Sequence, residues 1–319
     1  MLRSFIKTLI LLIISILFFL FYVLKFTNSI SDNFYLRFTT PKQASLIIGT
    51  SRGAQGIVPE IFNVSNLNFD KKLYNFSFTN GQALFGSIYY NAISKKLKQN
   101  TLNGLYIIEV SPMSISEVKS TKNGIVKLEE TNSFLEIKNV NKNPNFEYIL
   151  RYYSEPYYTL LYKQIRKNQN SKLRKYIKGF QNYSAELRDD GWLEVTVPMD
   201  STSFKERLVP HIEEHKEYLS LRHFSQYRFN YLEKTINLLQ QHGHVVLVRL
   251  PIDKRLFEIE INYMPNFNDF MNQLSNKYKI PYYTFNNVYL TTDGNHLFKT
   301  DSKRISEEIL KMIKLNFNN

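Results

Sequence analysis

Three short runs, "ASLIIGT", "GLYIIEVSP" and "HVVLVRLPID", constrain the fold of this 319-residue chain more than any other feature. Each is nearly continuous in apolar residues rather than alternating, and each ends at a small polar residue or a proline. A strand with one wet face alternates with a period of two, whereas a continuous apolar strand of this length needs cover on both faces. Stretches of helical spacing separate them: Leu84, Ile88, Ala92, Ile93 and Leu97 lie near one face of "ALFGSIYYNAISKKLKQN". "NDFMNQLSNKYKI" and "SKRISEEILKMIKLNF" are amphipathic in the same way, and a short helix is expected from about Pro59 to Val64. "KLYNFSFTNG" (72–81) and "PYYTFNN" (281–287) add two shorter strands. Strand–helix alternation of this kind predicts an α/β fold with a mainly parallel, five-stranded sheet covered by helices on both faces. A hydrophobic content of 43% is ample for such a core.

The first 26 residues obey a different logic. Arg3 and Lys7 precede "TLILLIISILFFLFYVL", which carries no charge, and Lys25 closes it. As a helix this run would extend about 26 Å, close to the hydrocarbon thickness of a bilayer. Basic residues on its amino side predict a cytoplasmic N-terminus, with everything beyond the run on the far side. The run is long for a cleaved signal peptide and no clear small-residue cleavage site follows, which favours an uncleaved anchor. Residues 1–26 are therefore expected to be a transmembrane anchor, 27–43 a linker, and 44–319 the α/β domain.

That domain is interrupted at about 117–240. Residues 117–146 read as loop-rich, 147–180 as mostly helical with a break at Pro156, and "GWLEVTVPM" as an exposed strand beginning at Trp192. Helical spacing returns over 203–241. Trp192 and "RYYSEPYYTLLY" could pack against the surface or form a carbohydrate platform. The cluster "KQIRKNQNSKLRKYIKG" (163–179) contributes to a formal charge of +13. It reads as a solvated helix face or, beyond a membrane anchor, as a contact for anionic lipid headgroups or acidic envelope polymers rather than nucleic acid. The chain has no cysteine, which excludes disulfides, thiolate metal sites, cysteine nucleophiles and lipoprotein anchoring.

In open α/β sheets, functional groups gather at the carboxyl ends of the strands. Ser51 follows the first strand there, Asn75 to Gly81 the second and Ser111 the third. Of six histidines, His211, His215 and His223 lie in the interrupted middle, and His242 and His244 flank the start of the fourth strand. Only His296 falls in a carboxyl-end loop, "TTDGNH". Asp293 precedes it by three residues across a Gly-Asn turn, a spacing that lets the carboxylate fold back to the imidazole Nδ1. Nε2 is then free to face a hydroxyl, so Ser51, His296 and Asp293 are candidates for a nucleophile, its base and an orienting acid. Each has a simpler reading alone: Ser51 as a turn or helix N-cap, Asp293 as an Asx turn, His296 as a helix-start residue. Arg52 could bind an acidic substrate group or pair with a carboxylate. Asn75 could hold its own turn or orient the Ser51 loop, and Glu109 reads as half of a structural pair. His211 and His215 are spaced i, i+4 but lack a third ligand, so neither metal nor cofactor is expected.

The combination of strand–"GTS" near the start and "DGNH" before the last helix resembles the SGNH (GDSL-like) hydrolase superfamily. The resemblance spans about 44–116 and 243–319. It implies a flavodoxin-like three-layer α/β/α fold, with Ser51 as nucleophile, Asp293 as orienting acid and His296 as base. The single-anchor layout is most similar to the membrane-attached acyl-transfer members of cell-envelope biosynthesis, such as teichoic-acid D-alanyl transfer and polysaccharide O-acetylation proteins. An extracytoplasmic serine esterase or O-acyltransferase is then expected, acting on an acylated polysaccharide or anionic envelope polymer, with a multispanning membrane acyltransferase as a conceivable partner. Two motifs depart from the family: Gly-Thr-Ser stands for Gly-Asp-Ser, and "EVSPMS" stands where Gly-x-Asn-Asp is expected. The oxyanion hole would therefore fall to the Ser51 amide, the Asn80-Gly81 turn or Arg52. The missing asparagine also leaves a non-catalytic assembly or scaffold protein as the alternative.

Overall fold

The computed structural model describes residues 2–26, 34–70, 72–119, 134–151 and 184–317. The first element, α1, runs from Leu2 to Phe26, and its Leu2–Tyr22 portion is long and apolar enough to cross a membrane and is unburied by the rest of the chain. After it come α2 (Tyr35–Thr39), β1 (Ser45–Ile48), α3 (Ser51–Gly56), α4 (Pro59–Asn63), β2 (Leu73–Asn75), α5 (Ser87–Lys96) and β3 (Gly104–Glu109). The middle of the chain holds β4 (Ser116–Val118), α6 (Phe146–Arg151), β5 (Ser184–Leu187), β6 (Leu193–Thr196), α7 (Ser201–Ser220) and β7 (Arg222–Phe224). The chain continues through α8 (Gln226–Gln240), β8 (Gly243–Val248), α9 (Lys254–Tyr263), α10 (Phe267–Tyr278), β9 (Tyr282–Tyr283) and α11 (Lys299–Phe317).

The three apolar runs form the centre of a parallel five-stranded sheet of order β2-β1-β3-β8-β9. Their register places Ile48, Ile108 and Leu247 in one row and Ile47, Ile107 and Val246 in the next. Because successive side chains alternate faces, these rows enter different cores. The first packs with Tyr89 and Ile93 of α5, Leu232 and Ile236 of α8, and Met271 of α10. The second packs with Phe62 of α4 and Ile305, Ile309 and Ile313 of α11. A fully buried branched aliphatic residue contributes about 1.5–3 kcal/mol, so the paired rows account for why β1, β3 and β8 carry no polar alternation.

Several expectations are corrected. The linker expected over 27–43 is a packed helix for part of that length: Tyr35, Arg37 and Phe38 of α2 are buried. Lys96 fastens that helix, donating to the carbonyls of Arg37 and Thr40, both at 2.7 Å. The insertion ends near 225 rather than 240, because antiparallel β4 and β7 close it and α8 packs on the sheet as a crossover helix. The single helical stretch expected over 203–241 is two helices with β7 between them. Helix α9 was not expected from the sequence, and β2 and β9 are shorter than their apolar stretches. "GWLEVTVPM" does supply a strand, β6, paired with β5, but Trp192 is buried, and its indole donates to the Gln55 carbonyl at 2.8 Å. The basic cluster at 163–179 and nearly all of "RYYSEPYYTLLY" lie outside the described residues.

Candidate active site

Helix α3 begins abruptly at the carboxyl end of β1, and Thr50 rather than Ser51 caps it. The Thr50 hydroxyl accepts from the Arg52 amide at 3.3 Å. Glu109, at the end of β3, accepts from the Thr50 amide at 2.7 Å and the Thr50 hydroxyl at 2.8 Å. That division of labour leaves the Ser51 side chain free of capping duty at the first helical position. Gly49 is required because a Cβ there would sit 2.6 Å from the Glu109 Cβ.

The base arrives from the other end of the sequence. Between β9 and α11, Thr291 and Leu297 form an antiparallel bridge, and the Thr292 amide donates to the His296 carbonyl at 2.7 Å. Inside this tight loop Asp293 Oδ1 accepts the backbone amides of Asn295 and His296, both at 2.9 Å. Gly294 adopts φ +90°, and a side chain there would also strike Leu208 of α7. Asp293 Oδ2 is 2.7 Å from His296 Nδ1, and His296 Nε2 is 2.8 Å from Ser51 Oγ. Burial pushes the Asp293 carboxyl up, but the nearby imidazole and the bonds from His296 outweigh it and hold the group far below the usual carboxylate range. An ionised carboxylate only accepts, so Nδ1 carries the proton and Nε2 is left to accept from the Ser51 hydroxyl.

The supporting residues divide clearly. Asn75 is buried and donates to the carbonyls of Gly53 at 2.9 Å and Ile57 at 3.1 Å, while its Oδ1 accepts from the Ser77 amide at 3.1 Å. It therefore orients the Ser51 helix and holds its own turn at once. Arg52 is turned inward, 2% exposed, with Nη2 on Glu260 at 2.6 Å and Nε on Asn295 Oδ1 at 2.8 Å. The carboxylate-pairing reading of Arg52 is the one seen. Asn80 and Gly81 are less engaged: Asn80 Nδ2 approaches the Met113 sulfur at 3.6 Å, and Gly81 is exposed with open space where a Cβ would be. Among the described residues no hydrogen bond ties either to the Ser-His-Asp line.

Other residues at the site were not assigned to it from sequence. One face of α7 closes over the base loop: Arg207 donates to the Thr292 carbonyl at 2.7 Å, and Leu208 meets Gly294. His211 follows, with its ring centroid 6.3 Å from that of His296, and then His215, 3.7 Å from Glu260. The i, i+4 histidine spacing was the available signal for this face. Burial lowers the His215 imidazole to about 4 and also lowers His211. Among the described residues no group of three His, Cys, Asp or Glu side chains is arranged to hold a metal ion. Glu260 and Asn295 gave no signal, since the Arg52 that joins them lies more than 200 residues away from each. A cavity of about 460 Å³ opens beside the base loop, lined by Leu250, Asp253, Phe257, Phe285 and Tyr289 among others. Asp253 joins the two, its amide donating to the Gly294 carbonyl at 2.8 Å.

A hydroxyl on an imidazole, itself on a partly buried carboxylate, is an arrangement suited to nucleophilic acyl transfer. No protein-family model matches the sequence, and no curated protein matches it either.

Proposed function

We propose that this protein is a membrane-anchored serine esterase or O-acyltransferase built on a flavodoxin-like three-layer α/β/α frame of the SGNH type. The observation that carries the proposal is the unbroken line from Ser51 Oγ to His296 Nε2 at 2.8 Å and from His296 Nδ1 to Asp293 at 2.7 Å. Ser51 Oγ bonds to the acyl carbon, its proton passes to His296 Nε2, and the carbonyl π pair moves onto oxygen. Collapse of that intermediate breaks the acyl–alkoxy bond, and the departing oxygen takes the proton back from His296. Water or a sugar hydroxyl then bonds to the acyl carbon and gives its proton to His296; the bond from that carbon to Ser51 Oγ breaks, and Oγ takes the proton from His296. Asp293 holds the imidazole and stabilises its charge throughout.

The apolar α1 and its flanking basic residues support a single-pass anchor with a cytoplasmic N-terminus and an extracytoplasmic domain. That location favours an acylated envelope polysaccharide or anionic polymer as substrate, and a multispanning acyltransferase as a source of acyl groups. Nucleic acid is not expected as a partner.

The test is a fluorophosphonate probe on the full chain in detergent. Labelling is expected on Ser51 and should vanish in Ser51→Ala while surviving replacement of Ser77 or Ser111. Absence of labelling in the unaltered protein rejects a serine enzyme.

A further inference from the structure

The carboxyl end of β3, where an asparagine was expected, offers none; an asparagine from another direction stands in the site. Asn295 is buried, and its Nδ2 lies 3.4 Å from His296 Nε2. We infer that Asn295 supplies the oxyanion-hole donor of this site, a reading that rests on Ser51 being the nucleophile.

Three observations carry it. The first fixes which way the amide faces. A guanidinium only donates, so the Asn295 atom 2.8 Å from Arg52 Nε must be the carbonyl oxygen. The amide nitrogen is then forced toward the catalytic imidazole, and its two hydrogens are the only ones that side chain has to offer. The second is that this orientation is enforced from below. Arg52 cannot swing away because Glu260, completely buried, holds its Nη2 at 2.6 Å and is itself held by Arg249 at 3.0 Å. A donor set by a rigid buried network costs no reorganisation at the moment charge develops, which is what an oxyanion hole requires.

The third is a change of partner during the reaction. In the resting site Nδ2 can donate only a long bond to Nε2, which already faces the Ser51 hydroxyl at 2.8 Å. When Nε2 takes the serine proton it becomes a donor, and the Asn295 contact with it is lost. At that same moment the substrate carbonyl oxygen becomes an anion on the carbon bonded to Ser51. The Nδ2 hydrogens, held in place by the grip of Arg52 on the amide oxygen, then have the oxyanion rather than Nε2 as their acceptor, so the interaction is stronger in the transition state than in the ground state. Of the other groups considered for the role, the Ser51 amide at the first position of α3 would act beside Asn295, and the rest fit less well. Arg52 is engaged with Asn295 and Glu260, and Asn80 and Gly81 have no hydrogen bond to the line.

The experiment compares the full chain in detergent with Asn295→Ala and Asn295→Asp, using 4-nitrophenyl acetate and its thiono analogue. Asn295→Asp keeps the oxygen that Arg52 grips and removes the donor. Both variants should lose about 10²–10³-fold in kcat with KM little changed. The loss should shrink markedly on the thiono ester, because a developing sulfur anion accepts hydrogen bonds weakly. A purely structural role for Asn295 would slow both esters equally. Turnover of either variant within threefold of the unaltered protein, or equal losses on the two esters, overturns the assignment. Should the unaltered protein neither turn over the ester nor label at Ser51, the serine-enzyme reading fails instead, and the two failures are distinct. If Asn295→Ala unfolds, Asn295→Asp and the ratio of the two esters still decide.

Discussion

Two buried glutamates flank Ser51 in the sequence of the site, one on each side, and they are held in opposite ways. Glu109 reaches Thr50, the residue before Ser51, and Glu260 reaches Arg52, the residue after it. Both are fully buried. Glu109 has only the Thr50 amide and hydroxyl on one oxygen, and among the described residues its Oε1 has no hydrogen-bond partner. Burial therefore dominates and pushes its carboxyl up, against the pull of Arg52 and Thr50. For Glu260 burial also pushes upward, but Arg52 and Arg249 outweigh it, and the group stays ionised. The same side chain thus serves as a brace whose ionisation burial opposes on the strand side and as the anionic centre of a buried cluster on the helix side. What decides is not burial, which the two share, but whether cations come with it.

That contrast can be broken most forcefully at Glu260. Glu260→Gln leaves two buried guanidiniums facing one neutral acceptor, and should cost about 3–5 kcal/mol in chemical denaturation of the full chain. Ester turnover should fall with it, because Arg52 loses the anchor that aims Asn295. The next effect is on pH. His215 lies 3.7 Å from Glu260 and is held near 4 by burial, against 6.5 ordinarily. An imidazole lowered in the folded state protonates first in the unfolded chain, so stability is fully present above about pH 6.5 and is lost as pH falls toward about 4. The expected loss is on the order of 2–3 kcal/mol, and His215→Gln should flatten that part of the pH–stability curve. A curve identical in the variant would remove His215 as its source. The smallest effect is expected at Glu109. Glu109→Gln keeps an acceptor for Thr50 and removes a carboxyl that burial already resists ionising, so neutral-pH stability should change by less than about 1 kcal/mol. A loss comparable with that at Glu260 would show that Glu109 is ionised and that the two braces are alike.

The contrast also explains what could be read in the sequence. The sheet was legible because β1, β3 and β8 are apolar on both faces, and only a covered parallel sheet tolerates that. The proximity of Ser51, Asp293 and His296 was legible because Ser51 follows directly on β1 and the other two fall in a short loop before the last helix. Glu260 was not, since a single acidic residue on an unanticipated helix looks solvated, and Arg52 is 208 positions away. The same blindness hid Asn295, which reads as part of a turn until Arg52 dictates which way its amide faces. The 27–43 stretch misled for a related reason: the α2 segment "YLRFT" is too short to show a helical period, and its burial depends on Tyr148, Phe76 and Phe78 from two other places in the chain.

The docking of α2 sets a length scale for the whole molecule. Only residues 27–33 separate the end of α1 from Phe34, where the packed body begins. Whatever their path, covalent geometry limits that stretch to about 25–30 Å. If α1 lies in a bilayer and the chain is the esterase proposed above, so short a leash keeps Ser51 out of a thick polymer layer. The ester would then be met where the polymer is still near the membrane, and the timing of modification would be set by when the substrate passes through that narrow zone.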